Sequence, residues 1–119
     1  MKPFKSVVFF FVTFFFFLSF SPNSNAQEAE LKKAKRLIQQ MENLYDQGQY
    51  SKAIPIAKEV LAIYEKAFGQ EHPYVASCLN NLGELYRSLG DYARAEPLHQ
   101  RALAIREKVL GSEHPRVAA

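Results

Sequence analysis

The stretch GQEHPYVA at 69–76 returns as GSEHPRVA at 111–118, and the offset of 42 residues between the two copies holds well upstream. GQYSKAIP at 48–55 falls on GDYARAEP at 90–97, Leu61-Ala62-Ile63 on Leu103-Ala104-Ile105, and Glu65-Lys66 on Glu107-Lys108. Roughly half of the positions from Gly48 onward are identical across this offset, too many for chance in a chain of 119 residues. The repeating part of the chain is therefore an array of two units.

Each unit reads as a pair of helices. In the second, Pro73 suits the first position of a helix, where its fixed φ is right and its missing N–H costs nothing. Val75, Leu79, Leu82, Tyr86 and Leu89 then recur at steps of three and four up to Gly90. Asp91 is the expected N-cap of the next helix, whose inward positions are Tyr92, Ala95, Leu98, Ala102, Ile105 and Val109, with Gly111 as a left-handed C-cap. The first unit follows the same plan, with Leu31, Ala34, Leu37, Ile38, Met41, Leu44 and Tyr45 as the inward face of its opening helix. The outer face of that helix carries Lys32, Lys33, Lys35 and Arg36, as expected of a solvated end of an array. Pro55 and Pro97 recur at one place in the two second helices, which predicts a local bend that belongs to the unit.

The segment before the repeats has a different character. Lys2 and Lys5 give a basic start, Val7 to Phe20 an apolar run, and Ser24-Asn25-Ala26 small residues where a signal peptidase cuts. This predicts a signal peptide over 1–26, a polar helix from about Glu28, and an exported, periplasmic or secreted protein. An uncleaved anchor is the alternative, although an apolar run of about 14 residues falls short of the roughly 20 that a membrane span needs. After cleavage no membrane span is expected. Nine of the ten Phe residues leave with that segment, and so do Lys2 and Lys5 of the 15 basic residues. Against 12 acidic residues the remainder has a net charge near +1, which argues against a nucleic-acid partner. Cys78 is alone, so neither an internal disulfide nor a cysteine metal cluster is available.

The pattern Leu79, Leu82, Gly83, Tyr86, Gly90, Tyr92, Ala95 and Ala102 resembles the small and large positions of a tetratricopeptide repeat. The 42-residue period, with AEPL, RALAIREKVLG and EHPRVA, is similar to the variant found in kinesin light chains and in many bacterial repeat proteins. The resemblance implies an all-α fold of two stacked helix-turn-helix units, the start of a right-handed α-solenoid. Unit 1 would span 27–75, and unit 2, with the opening of an incomplete third, 76–119. In unit 1 the match is looser, with Met41 at the position of Gly83, Gln40 at that of Leu82 and Leu44 at that of Tyr86.

The resemblance implies a non-catalytic scaffold that holds a protein or peptide partner in a concave groove lined by the first helices. In unit 2 the candidate peptide-binding residues are Asn80, Asn81, Glu84, Arg87 and Ser88; Asn81 can bridge a peptide backbone and Glu84 and Arg87 can select charge. The corresponding surface of unit 1 offers Ile38, Gln39, Glu42, Tyr45 and Asp46, without the basic residues that clamp a terminal carboxylate. The alternative is a recognition region at the front of a longer exported, peptidase-like protein. Self-association through an uncapped last helix is a further expectation.

No catalytic or cofactor motif is present: there is no G-x-S-x-G, no H-E-x-x-H and no phosphate-binding glycine loop. The repeated Glu-His pair is read as punctuation between units, with His72 capping the helix that Pro73 opens, and no metal or cofactor is expected. Cys78 is expected to be a small half-buried residue rather than a nucleophile. His99 is expected to pack.

Overall fold

The computed structural model describes residues 24–111, which form four helices: α1 (Ser24–Asp46), α2 (Tyr50–Phe68), α3 (Pro73–Ser88) and α4 (Tyr92–Leu110). No strand occurs among the described residues. Each helix packs on the next in the chain, giving the expected all-α stack of two helix-turn-helix units. Most of the expected signal segment, residues 1–23, lies outside the described residues, as do His114 and the opening of a third unit. Ser24, Asn25 and Ala26 begin α1, so that helix starts upstream of the expected Glu28. The division at 75/76 falls inside the first turn of α3, because Pro73 occupies the first position of that helix.

The turns follow from their glycines. Both tight turns are Schellman motifs: Gly48 N–H donates to Tyr45 O and Gln49 N–H to Leu44 O, at 2.9 and 2.8 Å. In unit 2, Gly90 N–H donates to Arg87 O and Asp91 N–H to Tyr86 O, both at 2.9 Å. These bonds satisfy carbonyls that a helix end leaves without partners. Asp91 caps α4 by accepting from Arg94 N–H at 3.3 Å, whereas its repeat counterpart Gln49 makes no side-chain cap to α2. Gly69 and Gly111 close α2 and α4, and Gly111 is not in the left-handed conformation expected of it. Their φ values of 89° and 85° are paired with ψ of 168° and 151°, an extended, essentially glycine-only region that sends the chain away from the helix.

The core lies along both faces of α3. Leu82, Leu85 and Tyr86 join Met41, Ala53 and Ala57 of unit 1, and Ala95, in one cluster; Cys78 joins Ala34, Val60 and Ile63 in a second; Val75 and Leu79 join Ala102 and Ile105 in a third. Because α3 is flanked by unit 1 on one side and by α4 on the other, it buries more than a single stripe. The expected face therefore omitted Leu85, Cys78 and Ala76. Leu89, Tyr92, Val109 and Tyr45, expected to point inward, are exposed. Leu89 lies past the last turn of α3. Tyr92, 65 % exposed, lies on the open edge of unit 2, whereas its counterpart Tyr50 packs on the core beside α3.

The opposite edge of the array is chemically different. Four α3 positions that are buried, Val75, Cys78, Leu82 and Leu85, are in α1 Lys33, Arg36, Gln40 and Asn43. Arg36, Gln40 and Asn43 are exposed, and Lys33 bonds Glu59 of α2 at 2.9 Å, so one of the four expected solvated cations also ties its unit together. Pro55 and Pro97 lie within unbroken helices on exposed faces. The carbonyls they leave without a helix partner, on Ser51 and Ala93, belong to exposed residues.

Candidate functional site

The first helices of the two units leave a groove of about 180 Å³ between them. From α1 it takes Met41, Glu42, Tyr45 and Asp46, and from α3 Asn81, Glu84 and Leu85. These spacings follow helical periodicity, which puts residues one turn apart on one face. Met41 and Leu85 are buried and make an apolar floor, while Glu42, Asp46 and Asn81 are exposed at the rim. Tyr45 stands beside them with its ring edge-on to Tyr50, centroids 5.1 Å apart.

Of the five residues singled out in unit 2, the groove takes Asn81 and Glu84. Arg87 lies on the far side of α3, in a shallow surface shared with Tyr92, Glu96 and His99, and reaches back to Glu84 at 3.3 Å. Ser88 is exposed at the last position of α3. Asn80 faces α4. With its amide oxygen toward Arg106 it accepts from Nη1 and Nη2 at 2.6 and 2.9 Å and donates to His99 Nδ1 at 3.0 Å. The reverse orientation would set donor against donor. Asn80 thus joins α3 to α4, and a peptide would have to break that network to use it. In unit 1, Glu42, Tyr45 and Asp46 line the groove, whereas Ile38 packs on the core. The floor residues Met41 and Leu85 were not singled out as binding residues; their apolar character marks them equally well for a core.

The Glu-His pair behaves as punctuation where it is described. His72 is the N-cap of α3, its Nδ1 accepting from Tyr74 N–H at 3.1 Å, and its ring stacks on Phe68 at 4.6 Å. Glu71 pairs with Lys108 at 2.7 Å and Glu65 with Arg101 at 3.1 Å, both bridging one unit to the next. Burial, reinforced by the Glu65 carboxylate, pushes the Cys78 thiol up to about 12, so the sulfur is held as a neutral thiol. Burial first, then Cys78 and Tyr74, raises Tyr64 in the same direction. Among the described residues no three His, Cys, Asp or Glu side chains gather as a metal site, and no helix is long and apolar enough to cross a membrane.

The model of a family described as a tetratricopeptide repeat matches residues 42–108 and again 82–119. No curated protein matches the chain.

Proposed function

The chain belongs to the tetratricopeptide repeat family, whose members generally serve protein–protein interaction as non-catalytic scaffolds, and on that footing we propose that this protein holds an extended segment of a partner protein in the α1–α3 groove. The observation that carries the reading is the construction of the groove: an apolar floor, Met41 and Leu85, beneath a polar rim that includes Asn81. A floor of this kind takes one side chain of a peptide, and an amide at the rim can pair both the N–H and the C=O of its backbone. The signal-like residues 1–26 support a protein that works after export.

Peptides selected from a displayed random library on the immobilised protein provide the test. Binding should fall with Asn81→Ala and Tyr45→Ala. If the selected peptides ignore both changes and are lost on Arg101→Ala or Lys108→Ala, the partner surface is the α2–α4 side and the groove is not the site. Mass spectrometry of exported protein that begins at Gln27 would support the export reading; an intact Met1 would end it.

A further inference from the structure

The α1–α3 groove carries a sign. Glu42, Asp46 and Glu84 stand around it, and no lysine or arginine lines it. Among the described residues neither Glu42 nor Asp46 has a cation within salt-bridge distance, and Glu84 meets only the exposed Arg87 of its own helix. Glu42 and Glu84 occupy the same place in the two units, so the repeat sets an equivalent carboxylate on each first helix, and Asp46 adds a second on α1. Asp46 is the last residue of α1, at the negative end of the helix dipole, and the last turn holds no basic residue to offset it. A carboxylate there opposes its own helix. It does favour a cation that arrives from outside, and the exposed ring of Tyr45 offers the same cation a π face.

We propose that the occupant of this groove is an extended segment of a partner protein carrying lysine or arginine next to an apolar residue. The apolar side chain rests on Met41 and Leu85, and the cation sits between Glu42 and Asp46 against Tyr45. This rests on the groove being a docking surface. The charge that selects the segment is local, because the chain after residue 26 carries a net charge near +1 and does not attract cations as a whole.

The test is fluorescence anisotropy on the full chain with a short dye-labelled peptide that alternates lysine and leucine, beside peptides of equal length with glutamine or glutamate in place of lysine. The lysine peptide should bind at least roughly ten-fold tighter than the glutamate peptide. Glu42→Gln with Asp46→Asn should weaken it by about five- to ten-fold, as expected for two partly exposed ion pairs, while Glu107→Gln, outside the groove, should leave it unchanged. A flat or reversed order of the three peptides overturns the assignment, as does an equal loss on Glu107→Gln. If the glutamine peptide binds as tightly as the lysine peptide and both are lost with Asn81→Ala and Tyr45→Ala, the groove docks peptides but does not select cations. If binding survives every groove variant, the docking reading fails too. A chain that dimerises, and whose dimer dissolves with Glu42→Gln and Asp46→Asn, would make a second copy the occupant and overturn the partner-protein assignment.

Discussion

Gly83 of α3 and the ring of His99 on α4 occupy adjoining space: a β-carbon on Gly83 would stand 2.7 Å from Nε2 and 2.8 Å from Cε1. In unit 1 the same two positions hold Met41 and Ala57, both buried in one cluster. The large residue sits on the first helix in one unit and on the second helix in the other. The interior is thus filled in both units by different sequences, as close packing requires.

Gly83→Ala should therefore act with opposite signs in two backgrounds. In the native chain the methyl group must push His99 away from Asn80, and a cost of about 1–3 kcal/mol for overpacking outweighs the helix gain of about 1 kcal/mol from replacing glycine. With His99→Ala in place the clash is gone, and Gly83→Ala should stabilise by about 0.5–1 kcal/mol. Urea midpoints of the four chains decide it; the same sign in both backgrounds would refute the packing account.

Gln49→Asp should raise stability by about 0.5–1 kcal/mol, since a side-chain cap satisfies an orphan amide in the first turn. Asp91 makes that cap at the equivalent position of unit 2, and Gln49 does not. A thermal midpoint that fails to rise would show that the two turns, alike in their backbone bonds, differ in how they present the N-cap.

His72→Ala should cost about 1 kcal/mol through the lost cap, and His72→Asn should recover most of it, because an asparagine oxygen can accept the same N–H. Neither variant should differ from the native chain toward Zn²⁺ in calorimetry. Stoichiometric zinc uptake that vanishes with His72→Ala would return the Glu-His pair to the status of a metal site.

Cys78 gives a pH dependence with a definite sign. Its folded value is raised from 9.0 to about 12, so below pH 9 the thiol is neutral in both the folded and the unfolded chain. Between 9 and 12 the unfolded chain has lost the proton that the folded chain keeps, and stability falls by up to ~1.4 kcal/mol per pH unit. Unfolding curves of the native chain and of Cys78→Ala should diverge in this window, the native chain losing more. Equal slopes would mean that the sulfur reaches water in the folded protein.

Periodicity and glycine placement make the four helices and their turns legible in the sequence, because a helix must repeat every 3.6 residues and a Schellman turn needs positive φ. What periodicity cannot show is how many sides of a helix are covered. Leu85 and Cys78 escape it because α3 has neighbours on two sides, and Tyr92 misleads because no described helix covers its side of α4. The same blindness divides the candidate site. Asn80 and Asn81 are adjacent in the chain and equally polar, yet a rotation of about 100° gives one to α4 and the other to the groove.

The chemical difference between the two edges bears on solubility. Two edges as complementary as the faces that meet between the units would let every molecule add to the next without limit, the head-to-tail arrangement that builds open filaments. Here the edge that a neighbouring copy would offer is Arg36, Gln40, Asn43 and the already paired Lys33, against an open edge that carries Tyr92 and Leu103. Docking those cations and amides would strip them of water with few partners in return. The two described edges are thus a poor chemical match for head-to-tail growth.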